Sequence, residues 1–469
     1  MSKREKHSTK PEDRVPIHGK IGYGFGMTAY AMMIQSLGQM ANVIFNIGLG
    51  VNPVYIGWIM GGARFWDAIT DPVMGNITDN TRSRWGRRRP WIALGGLLCG
   101  ISFAAIWLFP RGMSEIFYVS WFLVAVLIFF LAFTVFSVPY IALGMEMSPD
   151  YHERTSVIAF RSVMAQGGGL MCSCLFWFIS LGWFTDMVHG MRFAAIIMGI
   201  FIFVFCAIPA IFAKEHSSLL ARQAKQPPVP LLKSAKATLT HPAFLIVIGV
   251  TAFLLIGTMM VGHLGAYVCI YHVFNGVKNV ETGKVLTIAG SAANISALVS
   301  IPLLTLLSKQ VGKQKALLTA MVISLAGTIL KWVCYTPAYP YLQVIPSALI
   351  GSSLAAIWML VNAMIPDIVD ADELKTGTRR EGMFGAVYSW AFKLGVVLAL
   401  IISGYLLSWS GFDANLESQS ESAVFLLRIF FTVVPSVAIG LAILLTLIYP
   451  LTEKRSYEIR KELEARRGS

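Results

Sequence analysis

The sequence predicts an all-α membrane protein, with twelve transmembrane helices in two halves of six. Three observations carry this expectation. Of 469 residues, 56% are hydrophobic and only 13% charged, with a mean hydropathy of +0.65; a soluble domain has about 25% charged residues. Apolar stretches recur along the whole chain, each long enough to cross about 30 Å of hydrocarbon, in place of the short alternating strands of a barrel. One long polar segment, 214–241, with Gln226-Pro-Pro-Val-Pro230 inside it, interrupts the series halfway.

In order, the expected spans are 19–47, 53–77, 90–110, 116–144, 155–183, 192–213, 242–272, 283–308, 314–335, 341–366, 381–409 and 422–450. Several exceed the roughly 20 residues a crossing needs, which permits tilt or kinks. Gly167-Gly-Gly169 and Pro139 are tolerated inside spans because neighbouring helices satisfy freed backbone groups. The polar start, Met1 to about Pro16, lacks the apolar run and cleavage site of a signal peptide. The expected organisation is a first half at 1–213, a linker at 214–241, a second half at 242–450 and a basic tail at 451–469. There is a faint internal repeat. Gly75-Asn-Ile-Thr-Asp79 and the arginine-rich turn 82–89 follow span two, and Ser308-Lys-Gln-Val-Gly-Lys-Gln-Lys315 follows span eight. Two six-helix halves with matching basic turns point to the major facilitator architecture, whose substrate site lies between halves near the midplane.

The formal net charge is +13. The positive-inside rule explains it without nucleic acid, because the charge gathers at alternate span ends. Lys3, Arg4, Lys6, Lys10 and Arg14 precede span one, and Arg82, Arg84, Arg87, Arg88 and Arg89 follow span two. Lys214, Arg222, Lys225, Lys233 and Lys236 mark the linker; Lys309, Lys313, Lys315, Lys375, Arg379, Arg380 and the tail from Lys454 to Arg467 continue the same side. The opposite loops are nearly bare, with Arg111, Lys278 and Lys284 the main exceptions. Both termini are therefore expected on the cytoplasmic side of a cytoplasmic (inner) membrane. Cys99, Cys172, Cys174, Cys206, Cys269 and Cys334 all fall in apolar segments and read as small buried side chains, not disulfides or metal ligands.

Span two carries Gly61-Gly-Ala-Arg-Phe-Trp-Asp-Ala-Ile-Thr-Asp-Pro72. A carboxylate at the bilayer centre costs about 3 kcal/mol on insertion scales, and residues i and i+4 share a helix face. Asp67 and Asp71 thus aim at one spot, as ligands of a cation (the metal pair of the chain) or as a proton acceptor. The competing structural reading pairs them with Arg64 or Arg161. Thr134 on span four and Thr70 beside Asp71 offer further oxygen ligands, although membrane threonines usually bond their own helix's carbonyls. Arg161 on span five and Lys393 on span eleven are buried cations from different halves, placed to neutralise the aspartates or bind substrate. Arg192, near a span end, reads as a snorkelling side chain. Trp358 and Tyr30 are candidate surfaces for a sugar ring, against the competing role of packing or interface anchoring.

Charge also concentrates at two turns. Glu146, Asp150, Glu153 and Arg154 join spans four and five, and Pro366 to Glu381, with Asp367 and Asp370, joins spans ten and eleven. With Arg82 to Arg89 these read as ion-pair latches closing the inner side, against the alternative of solvated loops whose pairs are worth about 0–1 kcal/mol. No G-x-x-x-x-G-K-[ST] cradle suggests a nucleotide-driven pump, and no triad or H-E-x-x-H motif suggests an enzyme. No resident cofactor is expected, only a transported Na⁺ or H⁺.

Several motifs carry a resemblance. Arg64-Phe-Trp-Asp-Ala-Ile-Thr-Asp-Pro-Val-Met-Gly75, Thr81-Arg-Ser-Arg-Trp-Gly-Arg-Arg-Arg-Pro-Trp91, Val138-Pro-Tyr-Ile-Ala-Leu143, Asp150-Tyr-His-Glu-Arg-Thr155, Asp367-Ile-Val-Asp-Ala-Asp-Glu-Leu-Lys-Thr-Gly377 and Arg380-Glu-Gly-Met-Phe384 resemble the glycoside-pentoside-hexuronide:cation symporter family across both halves. The resemblance implies that Asp67, Asp71 and Thr134 hold Na⁺, Li⁺ or H⁺, that Arg161 and Lys393 match the family's span-five arginine and span-eleven lysine, and that Trp358 matches a gating tryptophan. There are departures. Tyr30-Ala31 stands where the melibiose-transporting member has a lysine–aspartate pair, Ser137 where it has a sugar-binding aspartate, and Thr70 where it has an asparagine. The loss of two acids favours an acidic substrate, such as a hexuronide or sulfonated sugar. Vertebrate lysophospholipid transporters also resemble the family, which keeps an amphiphilic substrate open. The expected protein is a monomeric symporter in contact with lipid, taking a small sugar or sugar derivative together with a monovalent cation.

Overall fold

The computed structural model describes residues 13–215, 241–377, 380–414, 416 and 418–468. The first residues of the polar N-terminus and nearly all of the expected linker lie outside them. Every regular element among the described residues is helical. Before the linker come α1 (Ile17–Ala41), α2 (Pro53–Asn80), α3 (Arg89–Trp107), α4 (Glu115–Glu146), α5 (Tyr151–Ser173), α6 (Leu175–Ile179) and α7 (Met187–Phe212). After it come α8 (Pro242–Tyr267), α9 (Val280–Val311), α10 (Lys313–Cys334), α11 (Val344–Thr376), α12 (Glu381–Trp409), α13 (Glu421–Leu447) and α14 (Glu453–Gly468).

Local sequence sets several helix ends. Ser114, Asn279 and Ser420 cap α4, α9 and α13 by accepting the N–H of Phe117 at 3.4 Å, Thr282 at 3.0 Å and Ala423 at 3.2 Å. Each is followed by an acid in the first turn, Glu115, Glu281 or Glu421, which opposes the positive end of the helix. α9 stops at Gly312 and α11 at Gly377, with φ of 86° and 71°, the left-handed conformation that glycine adopts without a Cβ clash.

Among the described residues, ten helical stretches are long and apolar enough to cross a membrane. The two expected spans outside this set are α1, with five glycines and Lys20, and α2, with Arg64, Asp67, Asp71 and Asp79. Glycines and charged residues lower the mean hydropathy of these two helices. Span five runs as one apolar stretch, Glu153–Ile179, with a one-residue turn at Cys174 between α5 and α6. Two expectations are corrected. Cys174 at that turn is exposed, whereas the other five cysteines are buried. The tail at 451–469 is not merely a basic extension: Ile459 and Leu463 of α14, one turn apart, are buried with Ala371 of α11, a small apolar stripe at i, i+4 spacing.

The described residues group into two compact units. One is drawn from Met1–Leu37, Trp66–Cys172 and Val188–Pro228, the other from Gly38–Phe65, Ser173–Met187 and Val229–Ser469. In the first, α3 packs along α4 and crosses α7 closely: a Cβ on Gly100 would lie 2.5 Å from the carbonyl oxygen of Gly199. Only small residues permit backbones to approach so far. The buried rings of Phe129, Phe130, Phe133, Phe136 and Tyr140 form the apolar body of α4. Tyr140 stacks on Tyr23 with ring centroids 4.6 Å apart. Its hydroxyl donates to the Tyr23 carbonyl at 2.9 Å, while the Tyr23 hydroxyl donates to the Tyr140 carbonyl at 3.2 Å. This reciprocal pair fixes α1 against α4.

In the second unit, α8 packs on α12 and α13, and α11 on α9 and α10, around a core that includes Phe244, Leu254, Met321, Ile357, Leu360, Phe384 and Ile439. The first span of each expected half ends in a π-helical turn, Asn42–Gly48 after α1 and Val268–Val273 after α8. Such turns are rare. A polar corner holds the first of them: Tyr267 donates to Asn46 Oδ1 at 2.7 Å, and Asn46 Nδ2 donates to the Val51 carbonyl at 2.8 Å.

Candidate cation and substrate site

The helical period of α2 sets Asp67, Thr70 and Asp71 on one face, and α4 brings Thr134 to meet them. Thr134 Oγ1 lies 3.0 Å from Asp67 Oδ1, 3.3 Å from Asp71 Oδ1 and 3.0 Å from Thr70 Oγ1. A hydroxyl carries one proton, so Thr134 donates to only one carboxylate at a time. Asp67 is 5% exposed and Thr134 1%, while Asp71 and Thr70 are half-buried. Thr70 also bonds back to the carbonyls of Trp66 and Asp67, at 3.2 and 3.3 Å. Thr134, by contrast, reaches across to another helix. Pro72 and Pro139 sit inside α2 and α4 next to this cluster. Neither has an N–H, so each leaves the carbonyl four residues back, Ala68 or Val135, without its helical donor. Two carboxylates and two hydroxyls, gathered around one point and largely out of water, form a set of hard oxygen donors of the kind that coordinates small cations.

Arg161 on α5 lies in the same unit, with its guanidinium beside the Tyr23 hydroxyl, at the stacked Tyr23–Tyr140 pair. The Tyr30 ring packs 4.9 Å from Phe133, which is the packing role weighed against sugar stacking. Ser137 is buried on α4, one turn beyond Thr134 and so on the same face. In the second unit, Trp358 on α11 meets Phe392 of α12 edge-on at 5.4 Å, and half-buried Lys393 is the next residue. Arg192 donates to the Phe109 carbonyl, just past the end of α3, and lies over the Phe109 ring at 5.8 Å.

Two of the four residues expected to gate, Glu153 and Asp367, are held in ion pairs. Glu153 accepts from Lys20 Nζ and from the Val15 N–H, both at 2.8 Å, and Lys20 also donates to Ser156 at 2.9 Å. The Arg154 N–H donates to the Asp150 carbonyl at 3.0 Å, opening α5. Buried Asp367 pairs with Lys313 at 2.6 Å, and half-buried Asp370 follows three residues later.

A denser network lies at the ends of α2, α3 and α4. Arg88, 4% exposed, donates to Glu146 at 2.9 Å, to Thr78 at 2.5 Å and to Asp79. Arg87 adds a 2.8 Å bond to the same Glu146 oxygen. Glu215 accepts the backbone N–H of Arg88 at 2.7 Å and of Arg87 at 3.2 Å, satisfying donors at the start of α3. Burial disfavours the charge on Arg88, but Glu146 and Asp79 outweigh it and hold its pKa above the ordinary arginine value. The Asp372–Arg380 pair, at 2.9 and 2.5 Å, falls in the charged turn 366–381 expected to form latches. Lys20 and Glu215 are site residues the sequence reading missed; Lys20 had a signal, a lysine one turn inside a largely apolar helix.

A bundle of long apolar helices with an acid pair buried inside it defines a polytopic membrane transporter, and its fold is that of the major facilitators. A solved D-xylose–proton symporter superposes with a TM-score of 0.64 over 93% of this chain and 97% of its own, at 13% identity. The chain belongs to the MFS/sugar transport protein family, whose description matches residues 22–453. Among curated relatives, an uncharacterised symporter of Synechocystis is 25% identical over 95% of this chain and 96% of its own. The sodium-dependent lysophosphatidylcholine symporter 1 of Gallus gallus is 26% identical over 98% of this chain and 92% of its own.

Proposed function

We propose that the protein is a symporter that couples entry of Na⁺ or H⁺ to uptake of a sugar or sugar derivative (a glycoside, pentoside or hexuronide) by alternating access. The observation that carries this reading is the convergence of Asp67, Asp71 and Thr70 on the Thr134 hydroxyl. Buried carboxylates are costly in a membrane, and here they face one another's neighbourhood, where repulsion is relieved by binding a cation or a proton. Downhill entry then supplies about 2.3 kcal/mol per charge per 100 mV. Arg161, Lys393, Trp358, Tyr30 and Ser137 line the substrate path on this reading, and the Glu153 and Asp367 ion pairs, with Arg154 and Asp370, act as gates. Both termini are cytoplasmic, the working form is a monomer, and the only bound ion is the transported one.

A second reading, transport of a lysophospholipid or similar amphiphile, is favoured by one observation: sodium-dependent lysophosphatidylcholine symporters match nearly the whole chain. Thermal-shift titration of the purified protein separates the two. Sugars or uronides that stabilise it more in Na⁺ than in choline support sugar symport; stabilisation by lysolipids alone transfers the function to the second reading. Solute uptake into proteoliposomes that is indifferent to both sodium and proton gradients would sink the coupling.

A further inference from the structure

A second cavity lies far along the sequence from the acid pair, where the π-helical turn Val268–Val273 ends and α13 begins. It encloses about 610 Å³ and is lined by Tyr271, His272, Asn275, Gln419, Glu421 and Arg428, among others, all within one compact unit. A cavity of this size holds a monosaccharide-sized molecule.

Its polar groups are only partly satisfied. The Tyr271 side chain is 95% buried, and its hydroxyl has no hydrogen-bond partner. Arg428 donates to the Trp332 carbonyl at 3.0 Å and stacks on the Trp332 ring at 4.3 Å. Among the described residues, no carboxylate pairs with Arg428, while His272 is bonded to the backbone of Tyr335. The stack fixes the plane of the guanidinium and leaves its remaining N–H groups to a ligand. Lys278 adds positive charge, 5.5 Å from the Tyr271 ring. On the positive-inside reading this is the outer end of the unit, where cations are scarce, so their gathering there calls for a reason other than topology.

We propose that this cavity binds a small organic carboxylate, such as a uronic acid. Arg428 takes the carboxylate, and the Tyr271 hydroxyl donates to it. The Glu421 carboxylate accepts from hydroxyls on the same ligand. Glu421 favours a hydroxylated monoanion over a phosphate dianion, which it would repel. The site receives an acidic solute before it reaches the transport path.

Calorimetric titration of the purified full-length protein with D-glucuronate, D-glucose and inorganic sulfate tests this. Glucuronate should bind and glucose should not. Arg428→Gln should weaken glucuronate about tenfold or more, and Tyr271→Phe, which keeps the ring, about threefold or more. Tyr271→Phe decides the matter if Arg428→Gln does not fold. Because the transport path is itself read as accepting a hexuronide, two binding events are expected: the one assigned to the cavity should persist in Arg161→Gln and Asp71→Asn and be weakened in Arg428→Gln, so the two readings stand or fall separately. Loss of glucuronate binding in Arg161→Gln but not in the cavity variants would overturn the proposal. So would equal binding of sulfate and glucuronate, or no glucuronate binding at all.

Discussion

Thr134 carries one proton and lies within hydrogen-bond distance of both Asp67 and Asp71, which makes the residue informative. In the proposed symporter its hydroxyl oxygen becomes a ligand when a cation binds. On the proposed coupling, Thr134→Val should raise the half-saturating cation concentration about tenfold, while Thr134→Ser, which keeps the oxygen, should remain near wild type. Equal impairment of both would mean that the β-branched shape matters and the oxygen does not. Asp67→Asn and Asp71→Asn should each abolish gradient-driven accumulation, measured in proteoliposomes, while gradient-free exchange survives in part. Lys331 is a different case. It is 3% exposed, its amine has no hydrogen-bond partner, and it rests 4.2 Å over the Phe431 ring. A desolvated cation–π contact is worth about 2 kcal/mol, less than the several kcal/mol that burying an ammonium costs. Lys331→Met should therefore stabilise the protein by about 1 kcal/mol in denaturation of the detergent-solubilised form. A lowered melting temperature would show that the amine is better satisfied than its contacts suggest.

At the scale of elements, the ends of α2, α3 and α4 are tied by a buried charge cluster. Arg88 and Glu146 are both about 5% exposed as side chains. Removing one member leaves the other charged and buried, at a cost of about 3–5 kcal/mol. Glu146→Ala should thus lower folded abundance sharply, whereas exposed Arg82 can be replaced by alanine within about 0.5 kcal/mol. Fluorescence-detected size exclusion of the two variants checks this. Comparable profiles would mean that the pair is a solvated latch after all. The π-helical turns after α1 and α8 show a limit of sequence reading at this scale. Nothing in Asn42-Val-Ile-Phe-Asn-Ile-Gly48 or Val268-Cys-Ile-Tyr-His-Val273 marks an extra residue per turn; contacts such as Tyr267 to Asn46 define the first of them from outside the segment.

For the whole molecule, substrate charge is the open quantity. Ala31 and Ser137 stand where a galactoside transporter of the family carries acids. Arg161 and Lys393 are retained. A site with fewer carboxylates should prefer a solute that brings its own. In competition uptake, a glucuronide should inhibit more strongly than melibiose at equal concentration. Equal inhibition would place specificity in contacts other than charge.

The sequence by itself determined the class of fold, because hydropathy and the placement of lysine and arginine act locally along the chain. It also determined the acid pair, because i, i+4 spacing fixes a helix face without reference to any neighbour. It did not determine the turn at Cys174, the burial of α14 against α11, or the partners of Arg88, Lys20 and Arg192. Each of these depends on which surface arrives from a distant segment. Thr134 marks the boundary. Its residue type and depth were legible, but whether it bonds its own helix or the carboxylates of α2 was decided only when α4 packed beside α2.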